Sequence, residues 1–195
     1  MMTELINYQD QSLRRRDRSA PVLWLTGLSG AGKSTIARGL VQELSSHEIC
    51  VELLDGDEIR SELSGDLGFS RADRDLQVRR LGFLAQLLSR NGILVIVSAI
   101  SPYRETRAQA LERLERPFEI HVDAPLDVVE ARDTKGLYAR ARAGLITAMT
   151  GVDDPYEAPE APALRLDSAN TTPQQCVGSL LDLLRREGYL HALAS

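Results

Sequence analysis

The chain has 195 residues, a formal net charge of −5 and 43% hydrophobic content, enough apolar material for one compact domain with its own core. The acidic balance argues against a nucleic-acid or membrane surface, and no segment reads as a signal peptide or a membrane span, so a cytoplasmic protein is expected. Its two cysteines, Cys50 and Cys176, form no C-x-x-C or Cys/His grouping, which excludes a disulfide framework and points to buried, inert thiols.

Residues 1–20 form a polar lead-in in which Arg14, Arg15 and Arg16 are flanked by Asp10 and Asp17, either a solvated helix or a contact for an anionic partner. A single domain is expected over 21–195. Val22 to Thr26 reads as a buried strand, and Ser34 to Ser46 as a helix with Ile36, Leu40 and Leu44 on one face. Ile49 to Leu54 is a short apolar strand ending at Asp55-Gly56-Asp57. A long helix follows Arg71, with Val78, Leu81, Leu84, Ala85 and Leu88 on one side, and Asn91-Gly92 stops it. Ile93 to Val97, almost all branched and apolar, suits a central strand covered on both faces.

Pro102 is placed to open the next helix. Phe118 to Val122 gives another strand, and Pro125 opens a short helix through Arg132. Periodicity then fails from about 133 to 162, where Lys, Arg, Gly, Asp and Pro dominate; a stretch of this kind in a compact domain is expected to be a mobile lid. Leu164 to Leu166 supplies a last strand, and Pro173 to Glu187 a closing helix. Apolar runs alternating with amphipathic stretches predict an α/β fold, a doubly wound parallel five-stranded sheet flanked by helices.

Between the first strand and its helix lies Gly27-Leu-Ser-Gly-Ala-Gly-Lys-Ser34, which meets the spacing G-x-x-x-x-G-K-[ST] of a phosphate-binding P-loop in the strand–turn–helix context that pattern requires. Glycines let backbone N–H groups approach phosphate oxygens, and the helix N-terminus adds a partial positive charge. Lys33 is placed to reach the β- and γ-phosphates and Ser34 to hold Mg²⁺. A bare glycine-rich turn has no use for that Lys-Ser pair. The chain is therefore expected to bind ATP or another nucleoside triphosphate.

The P-loop does not by itself choose among kinases, GTPases and motors; later residues do. Asp55 and Asp57 stand at a strand end, where carboxylates face the crevice of such a sheet and can position Mg²⁺ or receive a hydroxyl proton. An ordinary Asp-Gly turn is the plainer reading. Arg60 follows one turn later and Arg74, Arg79 and Arg80 lie in the next helix; a guanidinium fork suits a phosphate or sulfate. Arg60 and Arg74 are the expected anion contacts, while Arg79 and Arg80 stay open between that role and a solvated face.

Taken in order, Leu54-Asp-Gly-Asp57, Asp66-Leu-Gly-Phe-Ser70, Asp73-Arg74, Arg79-Arg80, Ile100-Ser-Pro-Tyr-Arg104, Lys135-Gly-Leu-Tyr138 and Thr150-Gly-Val-Asp-Asp-Pro-Tyr-Glu157 resemble the adenylyl-sulfate kinases (APS kinases) from Pro21 to Leu166. The resemblance implies transfer of the ATP γ-phosphoryl group to the 3′-hydroxyl of adenosine 5′-phosphosulfate (APS), giving ADP and PAPS in sulfate activation. It also implies Mg²⁺ dependence, a homodimer, and a possible association with ATP sulfurylase. Carried over, Gly27, Leu28, Ser29, Gly30, Ala31, Gly32, Lys33, Ser34 and Thr35, with Arg132, match the ATP site. Ser34 and Asp55 match the Mg²⁺ site. Asp55, Asp57, Lys33, Ser101 and Lys135 match catalytic positions. Asp57, Arg60, Phe69, Arg74, Gln77, Ile100, Ser101, Lys135 and Met149 match the APS site, with Phe69 as an aromatic face for adenine and Ile100 offering its backbone. Ser101 corresponds to a serine described in the family as a phosphoserine intermediate, and an N-cap ahead of Pro102 is its other reading.

Three departures fall on the acceptor side. Leu76-Gln77 stands where the family usually has Glu-Asn, Ala148-Met149 replaces Gly-Phe, and Ala99 stands where many members have Phe. Gln77 keeps the amide one methylene further out, and Met149 can cover a ring through its sulfur. Two alternatives follow: a related kinase with a different small nucleotide or hydroxyl acceptor, and a non-catalytic nucleotide-binding regulatory module.

Overall fold

Alternation within the strands sets the layers of the computed structural model, which describes residues 19–190 apart from residue 48. In β1 (Val22–Thr26), Leu23 and Leu25 enter one core cluster while Val22 and Trp24 enter the other. In β3 (Leu94–Ser98), Leu94 and Ile96 separate from Val95 and Val97 in the same way. Strands that bury both faces need helices above and below, as parallel sheets do. With β2 (Val51–Asp55), β4 (Pro117–Asp123) and β5 (Leu164–Asp167), they form one parallel sheet ordered β2-β3-β1-β4-β5. This is the expected fold class.

One face is covered by α1 (Lys33–Ser46) and the C-terminal helix, through Ile36, Leu40 and Leu44 on the first and Val177, Leu180 and Leu184 on the second. The other face carries α3 (Arg71–Ser89) and α4 (Arg104–Leu111), through Val78, Leu81, Ala85 and Ala110. Each of these valines, leucines and isoleucines stabilises the fold by roughly 1.5–3 kcal/mol on transfer from water. A capping box starts α3: Asp73 N donates to Ser70 Oγ at 3.2 Å, and Ser70 N to Asp73 Oδ2 at 3.2 Å.

Several expectations need correction. Pro102 does not open α4. The helix begins at Arg104, whose backbone N–H is capped from afar by Glu157 Oε2 at 2.8 Å. Ser101, in a left-handed turn with φ 45°, therefore caps nothing. A short surface helix absent from the sequence reading, α2 (Gly56–Leu63), starts where the Asp55 side chain accepts from Asp57 N at 3.0 Å. The stretch without periodicity contains another, α6 (Leu137–Arg142), which follows α5 (Leu126–Arg132). Six residues are too few to show a helical period, but Tyr138 anchors α6 by donating to the Ser29 carbonyl at 2.9 Å. Cys50 is exposed rather than buried, because it precedes β2 at the sheet margin; Cys176, in the C-terminal helix α7 (Pro173–Arg186), is buried. The lead-in with Arg14–Arg16 lies outside the described residues, among which no helix is long and apolar enough to cross a membrane.

Candidate active site

Where β1 hands over to α1, the chain turns through Gly27–Gly32 along the carboxyl edge of the sheet. At Gly27 an added Cβ would run into the Val122 carbonyl oxygen, so close packing against β4 fixes this glycine. At Gly32 the N-cap of α1 sits at φ 96°, a left-handed conformation that glycine adopts without strain. Lys33 Nζ donates to the carbonyls of Gly27 at 2.9 Å and Leu28 at 2.7 Å, spanning the loop. Burial lowers its pKa to about 8, against the pull of the Asp57 and Asp55 charges and with a further push from Lys135. Arg132 lies against the same loop, donating to Gly30 O at 3.4 Å and Ser168 O at 2.7 Å. Thr35 is exposed on the first turn of α1. Leu28 lines a cavity of about 510 Å³ together with Leu126 and Gly151–Tyr156.

Two hydroxyls and a carboxylate stand at the strand ends beside the loop. Ser34 Oγ lies 3.1 Å from Ser98 Oγ, and Ser98 is the register partner of Asp55 on the adjoining strand. Asp55 spends Oδ1 on the cap of α2, while its Oδ2 is buried without a hydrogen bond and has only Arg38 at 3.8 Å. A buried, unpaired carboxylate oxygen on the strand beside a pair of contacting hydroxyls supplies hard oxygen donors, the kind Mg²⁺ takes. Asp57, two residues on, points outward and forms an ion pair with Lys135 from the opposite side of the crevice. The pair joins positions 78 residues apart and spans the space in front of Lys33.

Arg60, Phe69 and Arg74 form a second cluster. The guanidinium of Arg60 lies 4.8 Å from the Phe69 ring centroid and that of Arg74 5.8 Å, with the ring itself 59% exposed. Burial, then the charge of Arg74, lowers the pKa of Arg60; two cations beside one aromatic ring make a site that favours an anion. Arg74 is nearly buried, donating to Phe69 O at 3.1 Å and to Ala148 O of the lid.

A family model described as adenylylsulphate kinase matches residues 19–167. This chain belongs to the adenylyl-sulfate kinase family. Curated adenylyl-sulfate kinases from Deinococcus deserti and Synechococcus sp. (strain JA-3-3Ab) are 56% and 51% identical to it, covering 84% and 89% of this chain and 90% and 98% of their own lengths. The Mycobacterium tuberculosis APS kinase CysC, solved in complex with AMPPNP and APS, superimposes with a TM-score of 0.83 at 44% identity, over 86% of this chain and 99% of that one.

Against the family pattern, the structure sorts the residues singled out in the sequence. The P-loop, Asp55, Asp57, Lys135 and the Arg60–Phe69–Arg74 cluster converge on one crevice. Ser101 does not join them. It is 3% exposed, its Oγ accepts from Trp24 Nε1 at 3.2 Å, and its carbonyl accepts from Arg107, so its hydroxyl is held within the core. Met149 is 7% exposed within the first core cluster, which leaves it little surface with which to cover a nucleotide ring. Gln77 reaches the Gly56 carbonyl at 3.4 Å, and its Oε1 is buried and unpaired. The Ile100 carbonyl already accepts from Thr26 Oγ1 at 2.6 Å. Arg80 forms a two-pronged pair with Asp66 at 2.8 and 3.0 Å, which ties down the 63–66 loop, and Arg79 is exposed.

Two contributors escaped the sequence reading. Ser98 closes an apolar strand with a polar group at the crevice, the same signal that exposed Asp55. Arg107 left no such trace. It is fully buried, with Nε on Glu119 Oε1 at 2.7 Å and its other nitrogens on the carbonyls of Ser101 at 2.6 Å and Glu157 at 2.7 Å.

Proposed function

We propose that this chain transfers the γ-phosphoryl group of ATP to the 3′-hydroxyl of APS, giving ADP and PAPS, as a cytoplasmic homodimer. The observation that carries this reading is the Asp57–Lys135 pair, which sets a carboxylate and a cation face to face in front of Lys33. Asp57 orients the acceptor hydroxyl and takes its proton as the oxygen attacks the γ-phosphorus and the bond to the β-phosphate oxygen breaks. Lys33, Lys135 and the loop N–H groups hold the negative charge of the transferring group, while Arg60 and Arg74 hold the phosphosulfate and Phe69 faces the adenine. Ser34 and Asp55 would hold Mg²⁺, which would neutralise phosphate charge. The segment near 133–162, docked through Tyr138 and Lys135, shields the reacting groups from water.

The burial of Met149 and the displaced amide of Gln77 favour a second reading, a family member with another nucleotide acceptor. ADP release measured with and without APS, with the product identified by mass, separates the two. APS-dependent formation of PAPS at about 1 per second or faster supports the first reading. ATP binding without APS-dependent turnover supports the second. An association with ATP sulfurylase would appear as co-elution of the two purified enzymes.

A further inference from the structure

Outside the residues already given roles, the densest set of polar contacts in the crevice wall centres on Asp154. Both its carboxylate oxygens accept from Tyr103 Oη, at 2.8 and 3.0 Å, and Oδ2 also lies 3.4 Å from Thr150 Oγ1. Tyr103 is 2% exposed, and the guanidinium of Arg71 covers its ring at 4.4 Å, so the phenol has no room to swing away. Asp154 in turn stands 3.7 Å from Arg74 Nε, close enough to attract it but without a hydrogen bond. Neither side chain is more than a fifth exposed, and water screens such a pair poorly.

The nitrogens of Arg74 explain why this arrangement matters. Nε donates to Phe69 O and Nη2 to Ala148 O, while Nη1 has no partner among the described residues. The guanidinium is thus fixed on two backbone carbonyls, one beside the exposed ring and one in the lid, with its third nitrogen free for an anion. Asp153 shapes the lid side by accepting from Ala148 N at 2.7 Å and Met149 N at 2.6 Å. Asp154, next in the chain, supplies the charge that holds the fork in register with both carbonyls. Resting on the reading of the crevice as an APS site, we propose that Asp154, locked by Tyr103, is a positioning residue that aims Arg74 at the acceptor's phosphosulfate and couples the lid to acceptor binding.

Tyr103→Phe tests this without altering any charge near the anion: the ring stays under Arg71 and only the hold on Asp154 is lost. The KM for APS is expected to rise about fivefold, the worth of one hydrogen bond, with kcat and the Kd of ATP each within about twofold of the parent. Asp154→Glu keeps the charge but displaces it by a methylene, and the same split is expected. In an Arg74→Lys background, which has no fork to aim, Tyr103→Phe should add no further increase. The proposal is overturned by an unchanged KM for APS in both variants, by additive effects of Tyr103→Phe and Arg74→Lys, or by an equal loss of ATP affinity. Absence of APS turnover in the parent chain would instead remove the reading on which the proposal rests.

Discussion

On the proposed donor side of the crevice, nine consecutive residues from Gly27 to Thr35 make up nearly the whole of the proposed ATP site, with Arg132 laid against them. On the acceptor side, Asp57, Phe69, Arg74 and Lys135 come from separate stretches and are held by one another: Lys135 on Asp57, Arg74 on the carbonyls of Phe69 and Ala148, Arg60 beside the Phe69 ring. A contiguous loop keeps its shape through local backbone geometry. A site assembled from side chains depends on whatever clamps the elements together. The donor side should therefore fail by loss of charge, and the acceptor side by loss of position.

The largest effect is expected from Lys33→Ala. It removes the one ammonium that spans the loop, so turnover should fall by about 10³-fold or more and ATP affinity with it, as titration with ATP and steady-state rates would show. An Asp57→Ala variant sharpens the contrast: turnover should fall comparably while ATP still binds. If both variants lose ATP binding equally, the two sides are not separable.

Next comes Arg107→Met, which touches neither substrate. This arginine, itself fully buried, joins Glu119 on β4, the strained turn at Ser101 and the segment at Glu157. Leaving Glu119 without its partner should cost about 3 kcal/mol, lowering Tm by about 10 °C in a chain of this size. If Tm holds and only APS kinetics change, Arg107 serves the lid more than the core. By contrast Lys135→Ala breaks a pair whose side chains are 56% and 73% exposed, so Tm should barely move while kcat drops by about 10²-fold.

These differences also mark what could be read from the sequence. A P-loop is written in adjacent letters, and the unbroken apolar runs Val22–Leu25 and Ile93–Val97 mark strands buried on both faces, so the sheet and the loop at its edge were legible. Asp55 and Asp57 were legible because carboxylates end an apolar strand. The inward turn of Ser101 was not, since it depends on Trp24, 77 residues away, and on Arg107. Nor was the burial of Met149, where a family pattern suggested an exposed ring cover. Tertiary partners at long separation decide both, and no local spacing encodes them.

The pH response tests the donor side alone. Burial holds Lys33 near a pKa of about 8, below its ordinary value, so the free protein sheds this proton as pH rises through 8 while the unfolded chain keeps it until about 10.5. Folding stability from this group therefore rises across that window, because the cost of burying the charge disappears. ATP needs the charged form. Its Kd should weaken up to about tenfold per pH unit above 8, and binding near pH 8 should take up a proton, visible by calorimetry in buffers of different ionisation enthalpy. A Kd independent of pH from 7 to 9.5 would contradict this.

The smallest expected effect comes from the acceptor side, at Ala148. This residue sits at φ 58°, a left-handed conformation that costs an L-residue roughly 1–2 kcal/mol, and it is held there at both ends: its N–H donates to Asp153 Oδ2, and its carbonyl accepts from Arg74. Glycine at 148 relieves that strain but gives the unfolded chain about 0.4–1 kcal/mol more conformational entropy to lose. The balance leaves a gain of about 0.5 kcal/mol, or 1–2 °C in Tm. An increase in Tm for Ala148→Gly would mean that the Arg74 and Asp153 clamps hold residue 148 in its strained turn in solution. A decrease would mean that the turn relaxes in solution and that Arg74 is held less firmly than Lys33, so that the acceptor side fails by loss of position at Ala148.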